Sequence, residues 1–406
     1  MKEFLQNKLS DRAQRLDGKA IKEIVELIAQ PNIISFAGGL PSPESFPAEE
    51  LASLSEKMLR EKGAQALQYS DTLGLKALRE KIAQRYQNEG VEVRTENVMM
   101  VSASQQALDF VSRLLINPGD VVLCGLPSYL GGIDAFKSYD AQMVGIPLDE
   151  QGLSASHLEA KVEELIQKGQ QPRFLYLVPD FQNPTGITMP RFRRLEILQI
   201  VEKFDLLILE DSPYRELRYQ GEAQPTFYSL DASGRVITLG TFSKTFVPGF
   251  RLGWILAHPL LIEKLALIKQ TADICSSTFV QALTLEYLEQ DQFDANIQRN
   301  VKIYGEKQQV MLNALEEFMP SRVKWTQPEG GLFLWVELPD EINARQLLAK
   351  AVEKGVAFVP GDVFHCDGSG QNTFRLNYSY TTHEQTQEGV QRLADAVAEM
   401  ITISTR

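Results

Sequence analysis

From Val98 onward, short apolar runs alternate with stretches whose apolar residues recur at helical spacing. The runs 98–101, 121–124, 142–146, 174–178, 206–209, 236–239 and 252–256 read as seven strands. Between them, 106–116, 157–168 and 190–204 carry an apolar period of three to four residues and read as helices. Strands alternating with helices predict an α/β fold, a mainly parallel seven-stranded sheet covered on both faces. Ahead of this block, Ile21, Ile24, Val25 and Ile28 fall at helical spacing until Pro31 stops the run. A further helix is expected over 49–61. Beyond Thr271, helical stretches at 279–288 and 293–318 lead to 328–337, where a smaller α+β domain begins. The expected division is an N-terminal segment over 1–45 that joins the small domain, a large domain over 46–295 and a small domain over 296–406.

The chain of 406 residues suits a large domain plus a smaller one, and a hydrophobic share of 44% is ordinary for a protein with a sizeable core. No apolar run approaches the ~20 residues that span a bilayer. The start, Met1 to Lys8, lacks the apolar stretch of a secretory signal, so a cytoplasmic location is expected. Cys124, Cys275 and Cys366 are odd in number and far apart, which fits a reducing compartment rather than a disulfide framework. His157, His258, His365 and His383 have no metal-ligand spacing, and no metal is expected. A net charge of -12 argues against a nucleic-acid partner and leaves any anionic substrate to local arginines.

Candidate chemistry concentrates in Thr241-Phe242-Ser243-Lys244-Thr245-Phe246-Val247-Pro248-Gly249-Phe250-Arg251, between the apolar runs 235–239 and 252–257. A lysine held between two buried strands is costly as an ammonium, and desolvation that lowers its pKa makes the amine a nucleophile for an aldehyde. Thr241, Ser243 and Arg251 beside it are groups that bind a phosphate. Other candidates fall at the carboxyl ends of predicted strands, where ligands of such sheets sit. Ser104 and Gln105 open a helix after 98–101; unpaired N–H groups and a positive dipole end suit a phosphate there, although a serine alone is an ordinary N-cap. Asp211 closes a fully apolar run, where a carboxylate needs a cation such as a protonated pyridine nitrogen. Tyr214 follows it by three residues and Asn183 lies in Asn183-Pro184-Thr185-Gly186, which is otherwise common turn chemistry. Gly38 and Gly39 present bare backbone for close approach of a ligand. Arg375, among apolar residues of an alternating strand, calls for a carboxylate, either internal or from a substrate.

Ser243-Lys244-Thr245-Phe246-x-Pro248-Gly249-x-Arg251-x-Gly253-Trp254 resembles the active-site lysine segment of the fold-type I, pyridoxal-phosphate-dependent aminotransferases. The branch it is most similar to holds the α-aminoadipate and kynurenine aminotransferases, and further matching segments extend to Arg375. The resemblance implies a homodimer that carries pyridoxal 5'-phosphate as a Schiff base on Lys244, with Lys244 and Asp211 as the catalytic pair. It implies Ser104, Gln105, Thr241, Ser243 and Arg251 on the phosphate, joined by Tyr69 reaching across the dimer interface. Tyr129 would stack on the ring, and Asn183 and Tyr214 would meet its phenolic oxygen. On the substrate side it implies Arg375 on the α-carboxylate, Gly38, Gly39 and Asn183 along the pocket, and Arg15 at a distal carboxylate. The implied reaction moves the amino group of an L-amino acid (2-aminoadipate, aromatic or aliphatic) to 2-oxoglutarate. A lyase or decarboxylase on the same cofactor is the nearest alternative. A ligand sensor of the kind fused to DNA-binding domains is a further one, disfavoured because only about 30 residues, not strongly basic, precede Ile33.

Overall fold

The computed structural model describes the chain apart from residues 1, 16–17, 19–21, 23–25, 27–31, 291 and 405–406. The expected helical run through Ile21, Ile24, Val25 and Ile28 to Pro31 lies outside the described residues. Strand β1 (Ile34–Ser35) is followed by the strands of a large sheet: β2 (Val98–Val101), β3 (Val121–Leu126), β4 (Gln142–Asp149), β5 (Gly152–Leu153), β6 (Phe174–Leu177), β7 (Leu207–Asp211), β8 (Val236–Thr241) and β9 (Gly253–Leu256). Their order is β2-β9-β8-β7-β6-β3-β4-β5. Seven of these strands match the expected runs. The eighth, β5, corrects the seven-stranded expectation. It has two residues, too few for any apolar period, and Gly152 at φ 91 makes the reversal that lays it antiparallel on β4.

The strands β8, β7, β6, β3 and β4 pair parallel in sequence, and β9 runs antiparallel between β2 and β8. The near-continuous apolar runs follow from burial on both faces. Along β6, Phe174 and Tyr176 enter one core cluster while Leu175 and Leu177 enter another on the opposite face. Each fully buried side chain of this size contributes about 2 kcal/mol of transfer free energy. The helices Ala103–Leu115, Ala155–Gln167 and Arg191–Lys203 cover the sheet close to where their periods predict them.

A second core forms around a four-stranded sheet of β10 (Lys324–Trp325), β11 (Phe333–Glu337), β13 (Val359–Pro360) and β14 (Thr373–Asn377), in the order β10-β11-β14-β13. Phe36, Met311, Leu334, Phe374 and Leu393 meet there. The N-terminal strand β1 pairs with β12 (Val356–Ala357), which ties residues 34–35 to this smaller layer. Among the described residues no helix is long and apolar enough to cross a membrane.

Candidate active site

Parallel strands bring their carboxyl ends to one rim, and the chain places its polar groups there. Asp211 is the last residue of β7, Thr241 the last of β8, and the helix Ala103–Leu115 begins two residues after β2. The antiparallel strand β9 starts at this rim, because Gly253 pairs with both Thr241 and Val101. The segment carrying Lys244 and Arg251 therefore leaves and re-enters the sheet at one place. A cavity of about 410 Å³ opens on the rim, and Ser104, Gln105, Tyr129, Asn183, Asp211, Tyr214, Thr241, Ser243, Lys244, Arg251, Gly39 and Arg375 all line it.

One end of the cavity is a polar cup. Thr241 Oγ1 donates to Ser243 Oγ at 3.0 Å, and Arg251 Nη1 donates to the same oxygen at 3.3 Å. Ser104 is the second residue of the helix Ala103–Leu115, whose first N–H groups have no partner within the helix. Two non-glycine residues in the left-handed region, Ala103 at φ 63 and Arg251 at φ 46, shape this end. A Cβ on Gly253 would stand 2.5 Å from the Gly240 carbonyl oxygen and 3.1 Å from Ala103 Cα, so only glycine closes the cup there.

The middle holds Lys244 and Asp211. Lys244 Nζ donates to the Gly39 carbonyl at 2.8 Å. Burial lowers its pKa to about 8, and the charges of Arg375 and Arg251 push the same way against Asp211. Burial raises the Asp211 carboxyl to about 7, opposed by a hydrogen bond from Tyr176 and by the charge of Lys244. The Tyr176 hydroxyl donates to Asp211 Oδ2 at 2.9 Å, while Oδ1 is buried with no protein partner. Such an orphaned carboxylate oxygen is costly, and a cationic donor would relieve it. Tyr129 is pushed up to about 12 by burial, so its ring enters the cavity as a neutral phenol. Its side chain packs over Gly131, where a Cβ would come within 2.6 Å of the ring, and Tyr176 packs over Gly132 in the same way at 2.8 Å.

The other end belongs to Arg375, the central residue of β14. Its Nη1 donates to Asn183 Oδ1 and its Nη2 to the Ala37 carbonyl, both at 2.8 Å. No carboxylate pairs with it among the described residues, and its Nε has no partner. The guanidinium lies 4.2 Å from the centre of the Phe333 ring and 4.9 Å from that of Phe364. Burial lowers its pKa to about 10, which leaves it cationic at neutral pH. Asn183 also donates to the Tyr214 hydroxyl at 3.4 Å, and burial raises that phenol.

Three expected residues stand apart. Gly38 is buried beside the cavity but does not line it. Tyr69 is 77% exposed in the single chain and also lies outside the lining. Arg15 ends the short helix Asp11–Arg15, and its side chain lies outside what the structure describes. Tyr176, Phe333 and Phe364 are absent from the expected set. A tyrosine in an otherwise apolar strand, whose hydroxyl must find a partner, was the available signal for Tyr176.

The model of the family "Aminotransferase class I and II" matches residues 32–393. Aromatic-amino-acid aminotransferase 1 of Thermococcus litoralis is 43% identical over 96% of this chain and 94% of its own length. The 2-aminoadipate transaminase of Thermus thermophilus is 42% identical over 96% of each. The crystal structure of Pyrococcus horikoshii kynurenine aminotransferase in complex with PMP superposes with a TM-score of 0.94 at 40% identity, covering 97% of this chain and 98% of that one. A family match across almost the whole chain, on a site with a desolvated lysine facing a buried carboxylate, makes this protein a member of the class I and II aminotransferases.

Proposed function

We propose that this aminotransferase moves the amino group of 2-aminoadipate, aromatic or aliphatic L-amino acids to 2-oxoglutarate at the rim cavity, as a cytoplasmic homodimer. Its cofactor is pyridoxal phosphate, and the residues present fit that group. The observation that carries the reading is the unpartnered Oδ1 of buried Asp211, facing the cavity that Lys244 enters from the next strand. A protonated ring nitrogen is the donor this oxygen lacks. When bound, the cofactor supplies an aldehyde that condenses with amines and a ring that accepts the electron pair left by the departing Cα proton.

In this reading the cup of Ser104, Gln105, Thr241, Ser243 and Arg251 holds the phosphate, with Tyr69 of a second chain completing it. Tyr129 lies against the ring, and Asn183 and Tyr214 hold its phenolic oxygen. Asp211 keeps the ring nitrogen protonated, and Tyr176 fixes which carboxylate oxygen does so. Lys244 Nζ, with a pKa near 8, passes easily between ammonium and amine, as a group that both takes and returns a Cα proton must. Arg375 clamps the α-carboxylate with a guanidinium fork that packs on two aromatic rings. The pocket residues Gly38 and Gly39, and Arg15 at a distal carboxylate, complete the substrate side. The smaller domain, which carries Arg375, and the larger one, which carries Lys244, face each other across the reaction.

A half-reaction screen tests this. Cofactor-loaded protein is mixed with single amino acids, and the 2-oxo acid released is measured by mass spectrometry. The expected result is stoichiometric release from 2-aminoadipate and from aromatic donors. Release from no amino acid, with the cofactor bound, would overturn it.

A further inference from the structure

Cys124 and Cys366 meet over one residue of the large sheet. In β3 the Cα of Cys124 pairs with Gly145 of β4 and with Tyr176 of β6. Paired residues of neighbouring strands point to the same face, so the Cys124 thiol and the bare face of Gly145 lie side by side, about 4.8 Å apart. A Cβ on Gly145 would stand 3.2 Å from Cys366 Sγ. The Leu126 side chain, 2.7 Å from that point, and the sulfur of Cys366 thus share the space that Gly145 leaves open, one strand away from Cys124. Both pack in the same apolar cluster, Cys124 fully buried and Cys366 half-buried. A hydrogen bond from Cys124 holds the Cys366 thiol below its ordinary pKa, which makes Cys366 the more nucleophilic member.

We propose that Cys124 and Cys366 form a modification site, a thiol pair that a hydroperoxide closes to a reversible disulfide, slowing the active site. The Cys366 thiolate attacks the peroxide oxygen and the O–O bond breaks, giving a sulfenic acid and a hydroxide that takes up the proton the thiol had released and leaves as the first water. The Cys124 sulfur then attacks the sulfenic sulfur, the S–S bond forms and the second water leaves. Two thiols lose two electrons and two protons, and hydrogen peroxide is reduced to two waters. In a reducing compartment such a bond is transient, as a sensor requires.

The consequence for the site follows from what Cys366 is attached to. Two residues earlier, the Phe364 carbonyl accepts a 2.8 Å hydrogen bond from Ser128 N, next to Tyr129, and the Phe364 ring packs on the Arg375 guanidinium. A disulfide draws its sulfurs to ~2.0 Å, well inside a thiol contact, and pulls this segment toward β3. A shift of about 1 Å at substrate-positioning groups can cost up to about 10²-fold in rate.

The test treats cofactor-loaded enzyme with hydrogen peroxide. The intact mass should fall by two hydrogens, a proteolytic map should contain Cys124 linked to Cys366, and the rate should drop about tenfold or more. Dithiothreitol should restore both mass and rate. Cys124→Ser and Cys366→Ser should keep the untreated rate and lose the sensitivity, whereas Cys275→Ser should retain it. If Cys124→Ser fails to fold, Cys366→Ser at the half-buried position carries the comparison. A map without the linked peptide overturns the proposal, as does a linked enzyme with an unchanged rate or a sensitivity that survives in Cys366→Ser. Linkage is read by mass alone, so its failure is separate from any failure of the aminotransferase reading.

Discussion

The Tyr176 hydroxyl holds one oxygen of Asp211 at 2.9 Å, and the other oxygen is left without a protein partner. The two groups lie on adjacent parallel strands, where Leu177 pairs with Glu210 and Tyr176 with Leu209. The hydrogen bond favours the ionised carboxylate against burial, which otherwise wins. Removing it by Tyr176→Phe withdraws about 1.5–3 kcal/mol of support for the charged form, so the carboxyl midpoint should rise by about one to two pH units. Infrared or carbon NMR titration of the cofactor-free variant reads this directly. An unchanged midpoint would mean that Tyr176 only fills space.

The raised carboxyl also sets a stability trend in the cofactor-free protein. The folded state keeps the Asp211 proton up to about 7, above the unfolded value of 3.8, so folding binds a proton between these limits. Stability from this group is therefore present at low pH and is lost as pH rises through that window. Between pH 5 and 7 the loss amounts to about 2 kcal/mol relative to Asp211→Asn, which has no such proton to lose. Urea unfolding of both proteins at the two pH values checks this; parallel profiles would refute it.

Arg375→Lys keeps a positive charge but not the fork. Asn183 Oδ1 and the Ala37 carbonyl lose their shared partner, and the stack between Phe333 and Phe364 loses its planar filling. The expected result is a rise of ~100-fold in KM for the amino acid, corresponding to about 3 kcal/mol, with a smaller change in kcat. An unaltered KM would remove Arg375 from the carboxylate.

The proposed function places Tyr69, so exposed in one chain, at the site of a second. Lys244→Ala should abolish transamination in a folded protein, and Tyr69→Phe should weaken cofactor binding. Mixing the two variants should recover tight-binding activity, because a mixed dimer contains one site with both side chains intact. If the mixture performs no better than Tyr69→Phe alone, the tyrosine acts within its own chain or not at all.

Much of this site was legible because cost and position coincided. Asp211 ends an apolar strand and Lys244 sits between two others, places where a charge is expensive without a function. Ser104 was visible from the strand-to-helix switch. Arg375 was read as needing a carboxylate, internal or from a substrate; within the chain it is held instead by the Asn183 amide oxygen and the Ala37 carbonyl. An amide, a carbonyl and two ring faces from distant segments leave no local sequence signature. Tyr176 stayed hidden because its hydroxyl is satisfied 35 positions away across the sheet. The strand β5 was too short to have a period, and its turn depends on a glycine conformation rather than on apolar order.

The antiparallel return of β9 fastens both ends of the lysine segment to paired strands, at Thr241 and at Gly253. Gly253 has no spare volume, and the space over Gly240, which pairs with Trp254, is filled by that residue's ring, which a Cβ would meet at 2.1 Å. At these two anchor points the wall has no room for a bulkier residue. The facing wall, residues 37–40 and 361–366, is loop and single-turn helix. Divergence toward new donors, in nature or in a directed library, is thus channelled to one side of the cavity while the chemistry on the other is inherited unchanged.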